Sequence, residues 1–185
     1  MADFNPAFQR TMKFEGITLE EVPGDPGGLT FCGIARNPNP GWSGWSIIDA
    51  YIQSSPDMAT TRHLAINDPS LMALVEQFYQ ASIWNQNQLG FFNDQELANQ
   101  VYDAVVNIGQ RAMKALQGLL AITADGVVGM VTLGAVNSVE DPSGLVDQFI
   151  HWRKNYYTSL VLEKPQMKKF LDGWLNRCVR SDNKV

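Results

Sequence analysis

The sequence predicts a mostly α-helical protein: a helical bundle with a small β-hairpin or loop region near residues 17–35. Apolar residues recur at helical spacing through most of the chain, whereas residues 17–35 combine β-branched and aromatic residues with glycine and proline. A length of 185 residues, 45% of them hydrophobic, allows one sizeable core or two small lobes that share one body. No internal repeat or low-complexity linker interrupts the pattern.

The first half of the chain contains three predicted helices. The first carries phenylalanine and methionine at helical spacing over residues 4–12, and we expect Asn5 to cap it. The others cover residues 45–53 and 69–84.

The second half contains four predicted helices, at residues 94–109, 110–121, 143–162 and 165–180. Asp94 is expected to cap the first of these and Gly109 to end it, and Pro165 separates the last two. Between them, the stretch ADGVVGMVT (124–132) predicts a turn that leads into a helix.

The net charge of −5 is unevenly distributed, because the residues from Lys164 onward carry +4 and the preceding residues carry −9. A nucleic-acid-binding protein would show a broader basic surface, so no nucleic-acid partner is expected. The basic tail is interpreted as a solvated helix face, with contact to an anionic polymer or membrane as the alternative.

No apolar run approaches the length of a membrane span, so no stable membrane insertion is expected. Cys32 and Cys178 lack both metal-ligand spacing and disulfide density, which predicts two separate reduced thiols. His63 and His151 have no neighbouring ligand pattern. Neither a metal nor an organic cofactor is expected.

Glu15 lies where the first helix meets the glycine-rich loop. At about 100° per residue it falls near Phe4 and Phe8 around the helix axis, so it continues the apolar stripe. A carboxyl group there loses hydration and lies at the negative end of the helix dipole, and both effects favour its protonated form. A general acid requires that form. The alternative is a glutamate that reaches solvent at a helix end.

The loop after Glu15 contributes two further candidates, Asp25 and Thr30. The sequence GDPGGLT has neither the Gly-Lys-Ser/Thr of a phosphate loop nor the alternating oxygen ligands of a calcium loop. The loop is long enough to place Asp25 opposite Glu15, and glycosidic hydrolysis uses two carboxyl groups or one carboxyl group and a positioned water. Thr30 could hold that water. Bracing the turn is the alternative role of Asp25.

Two groups of motifs resemble a known family. FEG, a short spacer and DPGGLTFCGI, followed by GIARNPNPGWSGWSIIDAYI, resemble glycoside hydrolase family 108, N-acetylmuramidases with a lysozyme-like fold that occur in phage endolysins and bacterial homologues. YDAVVNIG and LQGLLAITADGVVGMVTLGAV resemble the peptidoglycan-binding segment paired with that catalytic segment. The resemblance covers about residues 8–178.

The resemblance implies that Glu15 is the catalytic glutamate and that Asp25 and Thr30 belong to the catalytic loop. It also implies a muramidase segment at 1–92 and a helical peptidoglycan-binding segment at 93–185, packed as one compact body. The chain departs from the family pattern at four positions, which are Ile17, Phe31, Cys32 and Met130. Ile17, where the family has a glycine, could narrow the approach to Glu15.

Three residues on the helix 94–109 are candidate substrate contacts. Asp103 and Asn107, at i and i+4, lie opposite the apolar face of that helix, and they would bind sugar if that side faces a cleft or form a solvated pair if it faces water. Tyr102 could stack on a sugar ring, as could Trp42, Trp45 and Trp84, although most of these aromatic residues are expected in the core.

The predicted function is therefore that of a peptidoglycan hydrolase. It would cleave the β-1,4 bond between N-acetylmuramic acid and N-acetylglucosamine, with Glu15 as general acid, in cell-wall lysis. A monomer is expected, made in the cytoplasm without a signal peptide and acting in the periplasm or wall after release or export. A non-catalytic wall-binding or secretion-associated protein and a lytic transglycosylase are the alternatives.

Overall fold

The computed structural model describes residues 1–21 and 26–181, and these residues form two compact units. Met12–Ser82 make the first unit, and Met1–Thr11 together with Ile83–Val185 make the second. Helix α1 (Phe4–Glu15) contributes residues to both. It begins two residues earlier than a cap at Asn5 would allow, because the backbone N–H of Asn5 donates to Asp3 Oδ1 at 3.0 Å. Asp3, not Asn5, therefore caps this helix.

The first unit combines a small sheet with three further helices. The elements that follow α1 are β1 (Leu19–Glu20), β2 (Thr30–Phe31), β3 (Ile34–Ala35), α2 (Gly44–Ser54), α3 (Met58–Ile66) and α4 (Pro69–Tyr79). The strands are antiparallel in the order β1-β2-β3. Asp57 and Asp68 cap α3 and α4 by accepting backbone N–H bonds at 2.8 Å.

The turn between β2 and β3 has two central residues, Cys32 and Gly33, because Phe31 pairs with Ile34. Their φ angles are +48° and +80°, and two successive positive φ values are the mark of a type I′ hairpin turn. The backbone N–H of Cys32 donates to Thr18 O at 2.9 Å. This bond ties the turn to the segment that follows α1.

An aromatic cluster packs against the sheet in the first unit. Phe31 stacks on Trp42, with ring centroids 6.2 Å apart, and Trp42 meets Trp45 edge-on at 4.9 Å. Arg36 lies over the Trp45 ring at 4.6 Å and pairs with Asp49 at 2.6 Å. The tryptophans that the sequence singled out in this segment thus serve mainly to pack it.

The second unit is helical in its described residues. Its elements are a π-helical segment (Gln80–Asn85) that begins in the first unit, a 3-10 turn (Leu89–Phe91), α5 (Gln95–Ile108), α6 (Arg111–Leu119), α7 (Met130–Asn137), α8 (Pro142–Glu163), a second 3-10 segment (Pro165–Phe170) and α9 (Leu171–Arg177). Every residue of α5 from Leu97 to Val105 is buried, and α6 and α8 pack against it. Asp94 caps α5 through the Leu97 N–H at 2.7 Å, as the sequence predicts.

These elements confirm the prediction of a mostly α fold with a small antiparallel sheet near residues 17–35. None of the helices within residues 1–21 and 26–181 is long and apolar enough to cross a membrane.

Candidate active site

Glu15 is the last residue of α1, and the helix ends there because Gly16 follows it. Gly16 has φ +74°, and its N–H donates to Met12 O at 3.0 Å, which closes the helix in a left-handed cap. Phe4, Ala7 and Thr11 form the buried face of α1, and Glu15 continues that face one turn beyond Thr11. Its side chain is half-buried, so the carboxylate is partly accessible and partly desolvated.

Gly33 in the hairpin turn lies directly against the Glu15 carboxylate. A Cβ atom on Gly33 would stand 3.5 Å from Glu15 Oε2 and 2.5 Å from the hydroxyl oxygen of Tyr79. Tyr79 is the last residue of α4, and its hydroxyl donates to the carbonyl oxygen of Cys32 at 2.9 Å. The end of α1, the tip of the hairpin and the end of α4 therefore meet at this point.

Two exposed apolar side chains flank Glu15 in the chain. Phe14 is 38% exposed and Ile17 is 48% exposed. The expectation that Ile17 narrows the approach to Glu15 stays a prediction.

Thr30 lies in β2, where its backbone is in register with Glu20 of β1 and Ala35 of β3. Its side chain is half-buried, and its hydroxyl donates to Gly28 O at 3.1 Å. Since that bond uses the hydroxyl proton, the oxygen can still accept a hydrogen bond from water. Asp25 lies outside the described residues, so its predicted place opposite Glu15 stays a prediction.

Cys32 is a thiol and not a thiolate at neutral pH. Burial raises the pKa of the Cys32 thiol to about 11, and a hydrogen bond with the Thr18 backbone lowers it only in part. Cys178 is also buried and free, so the prediction of two separate thiols is confirmed. Neither thiol has the exposure of a nucleophile.

The structure corrects the predicted setting of Asp103 and Tyr102. Both side chains are fully buried, although the sequence placed Asp103 on a side of α5 that faces a cleft or water. Asp103 Oδ2 is 2.7 Å from Arg153 Nη2 of α8, and Oδ1 is 2.8 Å from Arg177 Nη2 of α9. Buried side chains offer a sugar no surface, so these two residues leave the set of candidate contacts.

The Asp103 carboxylate is held ionised by its partners. Burial alone would raise the pKa of Asp103, but the Arg153 and Arg177 guanidiniums outweigh burial, and the net effect lowers that pKa. The same chemistry raises the pKa of Arg153, where the attraction to Asp103 overcomes desolvation. Asp103 is thus the anchor of a buried charge network.

The remaining aromatic and amide candidates are also occupied by internal contacts. Tyr102 meets Phe4 and Trp84 edge-on, with centroids 5.9 Å apart in each pair, which places it in the core as one of the expected alternatives. Asn107 is half-buried, and its Oδ1 accepts a hydrogen bond from the Tyr157 hydroxyl at 2.6 Å. Its role in substrate binding stays a prediction.

The Asp-Gly-x-x-Gly motif of the second unit is held in place by hydrogen bonds with a buried side chain. Buried Gln117 donates to Asp125 Oδ1 at 2.8 Å and to Val127 O at 3.0 Å, and it accepts the Gly126 N–H at 2.7 Å. Asp125 also accepts the Val127 N–H at 2.8 Å, and backbone hydrogen bonding lowers the pKa of Asp125. These contacts favour a motif that completes the fold.

The sequence did not single out Gly33 and Tyr79, which meet beside the Glu15 carboxylate. Gly33 had a signal, since a glycine between two short β-branched or aromatic runs is typical of a hairpin turn. Tyr79 had none, because an aromatic residue at the end of an apolar helix is most often part of the core. Among the described residues, no three His, Cys, Asp or Glu side chains cluster as metal ligands would.

Comparison with known proteins identifies the class of protein to which this chain belongs. Residues 8–109 match the family model described as glycosyl hydrolase 108, and residues 95–179 match the model described as a predicted peptidoglycan domain. A solved structure titled "Structure of Brucella abortus SagA" is 22% identical, with a TM-score of 0.62 over 95% of this chain and 88% of that chain. A search of curated proteins returned no match.

The glycosyl hydrolase 108 match spans more than half of the chain, so this protein belongs to that family. With the peptidoglycan-domain match, it is a glycoside hydrolase of peptidoglycan. The likeness to the SagA structure concerns the fold, and the predicted mostly α, lysozyme-like architecture is confirmed.

Proposed function

We propose that this protein is an N-acetylmuramidase that hydrolyses the β-1,4 bond between N-acetylmuramic acid and N-acetylglucosamine, with Glu15 as the general acid. The observation that carries the proposal is the setting of Glu15. It is a half-buried carboxylate at the end of α1, against the hairpin turn, inside the segment that matches glycosyl hydrolase 108.

In the proposed reaction Glu15 donates its proton to the glycosidic oxygen as the bond to the N-acetylmuramic acid carbon breaks. The positive charge that develops on that sugar is oxocarbenium-like, and a water molecule captures it. Thr30 would hold the water through its hydroxyl oxygen, with the released proton passing to solvent, or Asp25 would take that proton. The leaving sugar keeps the proton from Glu15, and the water supplies the new hydroxyl group.

The segment that matches the peptidoglycan domain would keep the enzyme on its polymer. Residues 95–179 form α5 to α9 with their connections, all within the second unit. Several exposed apolar side chains lie there, including Val127, Met130 and Val131. Retention on the wall would raise the local concentration of glycan around Glu15.

The proposal predicts that Glu15→Gln abolishes release of soluble fragments from purified peptidoglycan. Glutamine fills the same space but cannot donate a proton to the glycosidic oxygen, and loss of one acid–base catalyst costs about 100-fold to 10,000-fold in rate. The measurement is dye release from labelled peptidoglycan at matched protein concentrations.

The matched control is Glu163→Gln, since Glu163 is also the last residue of a helix, α8, and its side chain is exposed. It should release dye at the wild-type rate. Release by Glu15→Gln within about threefold of wild type would remove Glu15 from the mechanism. A wild-type protein that sediments with the wall but releases nothing would indicate a non-catalytic binding protein.

A further inference from the structure

Two hydrogen bonds made by the backbone of Cys32 hold the hairpin turn beside Glu15 to other segments of the chain. The N–H of Cys32 donates to Thr18 O at 2.9 Å, and the carbonyl of the same residue accepts the Tyr79 hydroxyl at 2.9 Å. Thr18 lies only three residues after Glu15. Cys32 is therefore fixed through its N–H to the segment that leaves α1 and through its carbonyl to the last residue of α4.

The Tyr79 bond to the turn is buried, so it is not shared with bulk water. Cys32 is fully buried, and Tyr79 is 4% exposed. A buried carbonyl that loses its donor retains its desolvation cost, so removal of the Tyr79 hydroxyl weakens the position of the turn. The chain also turns into a π-helical segment immediately after Tyr79, a distortion frequent at functional sites.

These hydrogen bonds bring the turn so close to Tyr79 that only glycine fits at position 33. A Cβ there would lie 2.5 Å from the Tyr79 hydroxyl oxygen, closer than side-chain carbons come to other atoms, and 3.5 Å from Glu15 Oε2. The φ of +80° adds a second restriction, because residues with a Cβ rarely adopt it. The 3.5 Å separation is an ordinary contact, so a larger residue must displace either the turn or the Tyr79 ring, and displacement of the turn would also shift the surface beside the carboxylate.

We propose that Tyr79 and Gly33 are positioning residues for the Glu15 carboxylate. The hydrogen bond from the Tyr79 hydroxyl fixes the position of the hairpin turn. The backbone of Gly33, which has no side chain, packs against the Glu15 carboxylate. Neither residue exchanges a proton with substrate. Their effect is to hold the carboxylate where it can reach the glycosidic oxygen, and a misplacement of about 1 Å can cost about 100-fold in rate. This inference rests on the proposed function of Glu15.

The geometry predicts a specific pattern in three variants. Gly33→Ala should lower kcat by about 100-fold, because its Cβ strikes the Tyr79 oxygen and displaces the turn. Tyr79→Phe should lower kcat by about tenfold, because it frees the turn without forcing it out. The double variant should be more active than Gly33→Ala alone, since removal of the hydroxyl leaves Tyr79 Cζ at 3.8 Å from the new Cβ, an ordinary contact.

The experiment measures kcat, KM and wall sedimentation for the three variants, with two controls from the same unit. Tyr51→Phe removes a hydroxyl that donates to Asp68 Oδ2 at 2.8 Å, and Gly41→Ala adds a Cβ with nothing within 4 Å. Both controls should keep the wild-type kcat. The three test variants should keep the wild-type KM and the wild-type sedimentation with the wall. A general loss of folding would change both.

Rescue of Gly33→Ala by Tyr79→Phe is the outcome that supports the inference. A double variant no better than Gly33→Ala, or one whose loss equals the product of the single losses, would overturn it. These failures are distinct from failure of the proposed function, in which the wild type itself releases no fragments. The melting temperatures of the same four proteins test the steric coupling independently, because they should show the same rescue.

Discussion

At the scale of single residues, Asp103 is a carboxylate with two guanidinium partners and no exposed surface. Arg10 extends this network, since its Nη2 donates to the carbonyls of Arg177 and Val179 at 3.0 and 2.7 Å. Gln100 reaches the same Val179 carbonyl at 2.6 Å. The network thereby fastens the end of α9 and the residues after it to the centre of the second unit.

Asp103→Asn should destabilise the protein by about 3–5 kcal/mol, because two buried arginines lose their counter-charge. Asp147→Asn is the matched control: Asp147 is 67% exposed and pairs with Arg180 at 2.8 Å, so its loss should cost at most about 1 kcal/mol. Urea unfolding of both variants gives the comparison. Equal losses in the two variants would show that burial does not strengthen the Asp103 pair.

The same network gives stability a defined dependence on pH. The pKa of Asp103 is lowered in the folded state, so its contribution is present above the unfolded value of about 3.9 and is lost as pH falls through the folded value. The wild type should therefore lose this stabilisation in acid. Asp103→Asn should lack that part of the acid dependence.

The catalytic candidate and the positioning residues differ in how far the sequence reveals them. Glu15 could be predicted as a candidate general acid because local spacing places it before Gly16 and on the apolar stripe of the first helix. Tyr79 lies 64 positions further along the chain, and only the fold brings it to the turn. Local pattern cannot report such a contact.

At the scale of elements, α5 shows why periodicity misplaced Asp103. The i and i+4 pair predicts a polar face, but α8 and α9 supply arginines that make this face part of the core. Periodicity reports which residues share a side, not what covers that side. Burial of nine successive residues in α5 is a property of its neighbours.

Other elements differ from prediction for local reasons. Helix α3 (Met58–Ile66) was not predicted, because only Thr61 and Ala65 of its nine residues are buried and the apolar pattern is weak. The predicted helix at 165–180 is divided: the part after Pro165 is a 3-10 segment, and α9 starts at Leu171. The helices α5 and α8 were predicted within one residue of their bounds, and the helix predicted at 69–84 covers α4 and most of the π-helical segment that follows it.

The loop that carries Asp125 and Gly126 gives a prediction at this scale. Gln117→Leu keeps the side-chain volume but leaves the Gly126 N–H without its buried acceptor and the Val127 carbonyl with only the Thr132 hydroxyl, at 3.3 Å, so the unfolding free energy should fall by about 1–3 kcal/mol. Amide exchange at Gly126 should accelerate. Gln148→Leu, on an exposed position of α8, is the control and should have little effect.

Loss of stability in Gln117→Leu with unchanged sedimentation on the wall would support a structural role for the loop. If stability held and sedimentation fell, the loop would be a direct contact with peptidoglycan.

At the scale of the whole molecule, one chain combines a glycosyl hydrolase 108 match with a peptidoglycan-domain match, and the two overlap over residues 95–109. The shared residues fall in α5, the buried helix that also holds Asp103. The class and the fold could be predicted from motif order along the chain. The glycosidic bond that is cut does not follow from that order, because it depends on which sugars the folded site binds, and it stays part of the proposal.

The proposed muramidase reaction is tested most directly by digestion of purified peptidoglycan in water labelled with heavy oxygen, followed by mass spectrometry of the soluble muropeptides. A muramidase that acts through Glu15 should release fragments that end in reducing N-acetylmuramic acid, each with one labelled oxygen, and Glu15→Gln should release none. Anhydro-sugar ends without label, or label on N-acetylglucosamine ends, would contradict the proposed reaction.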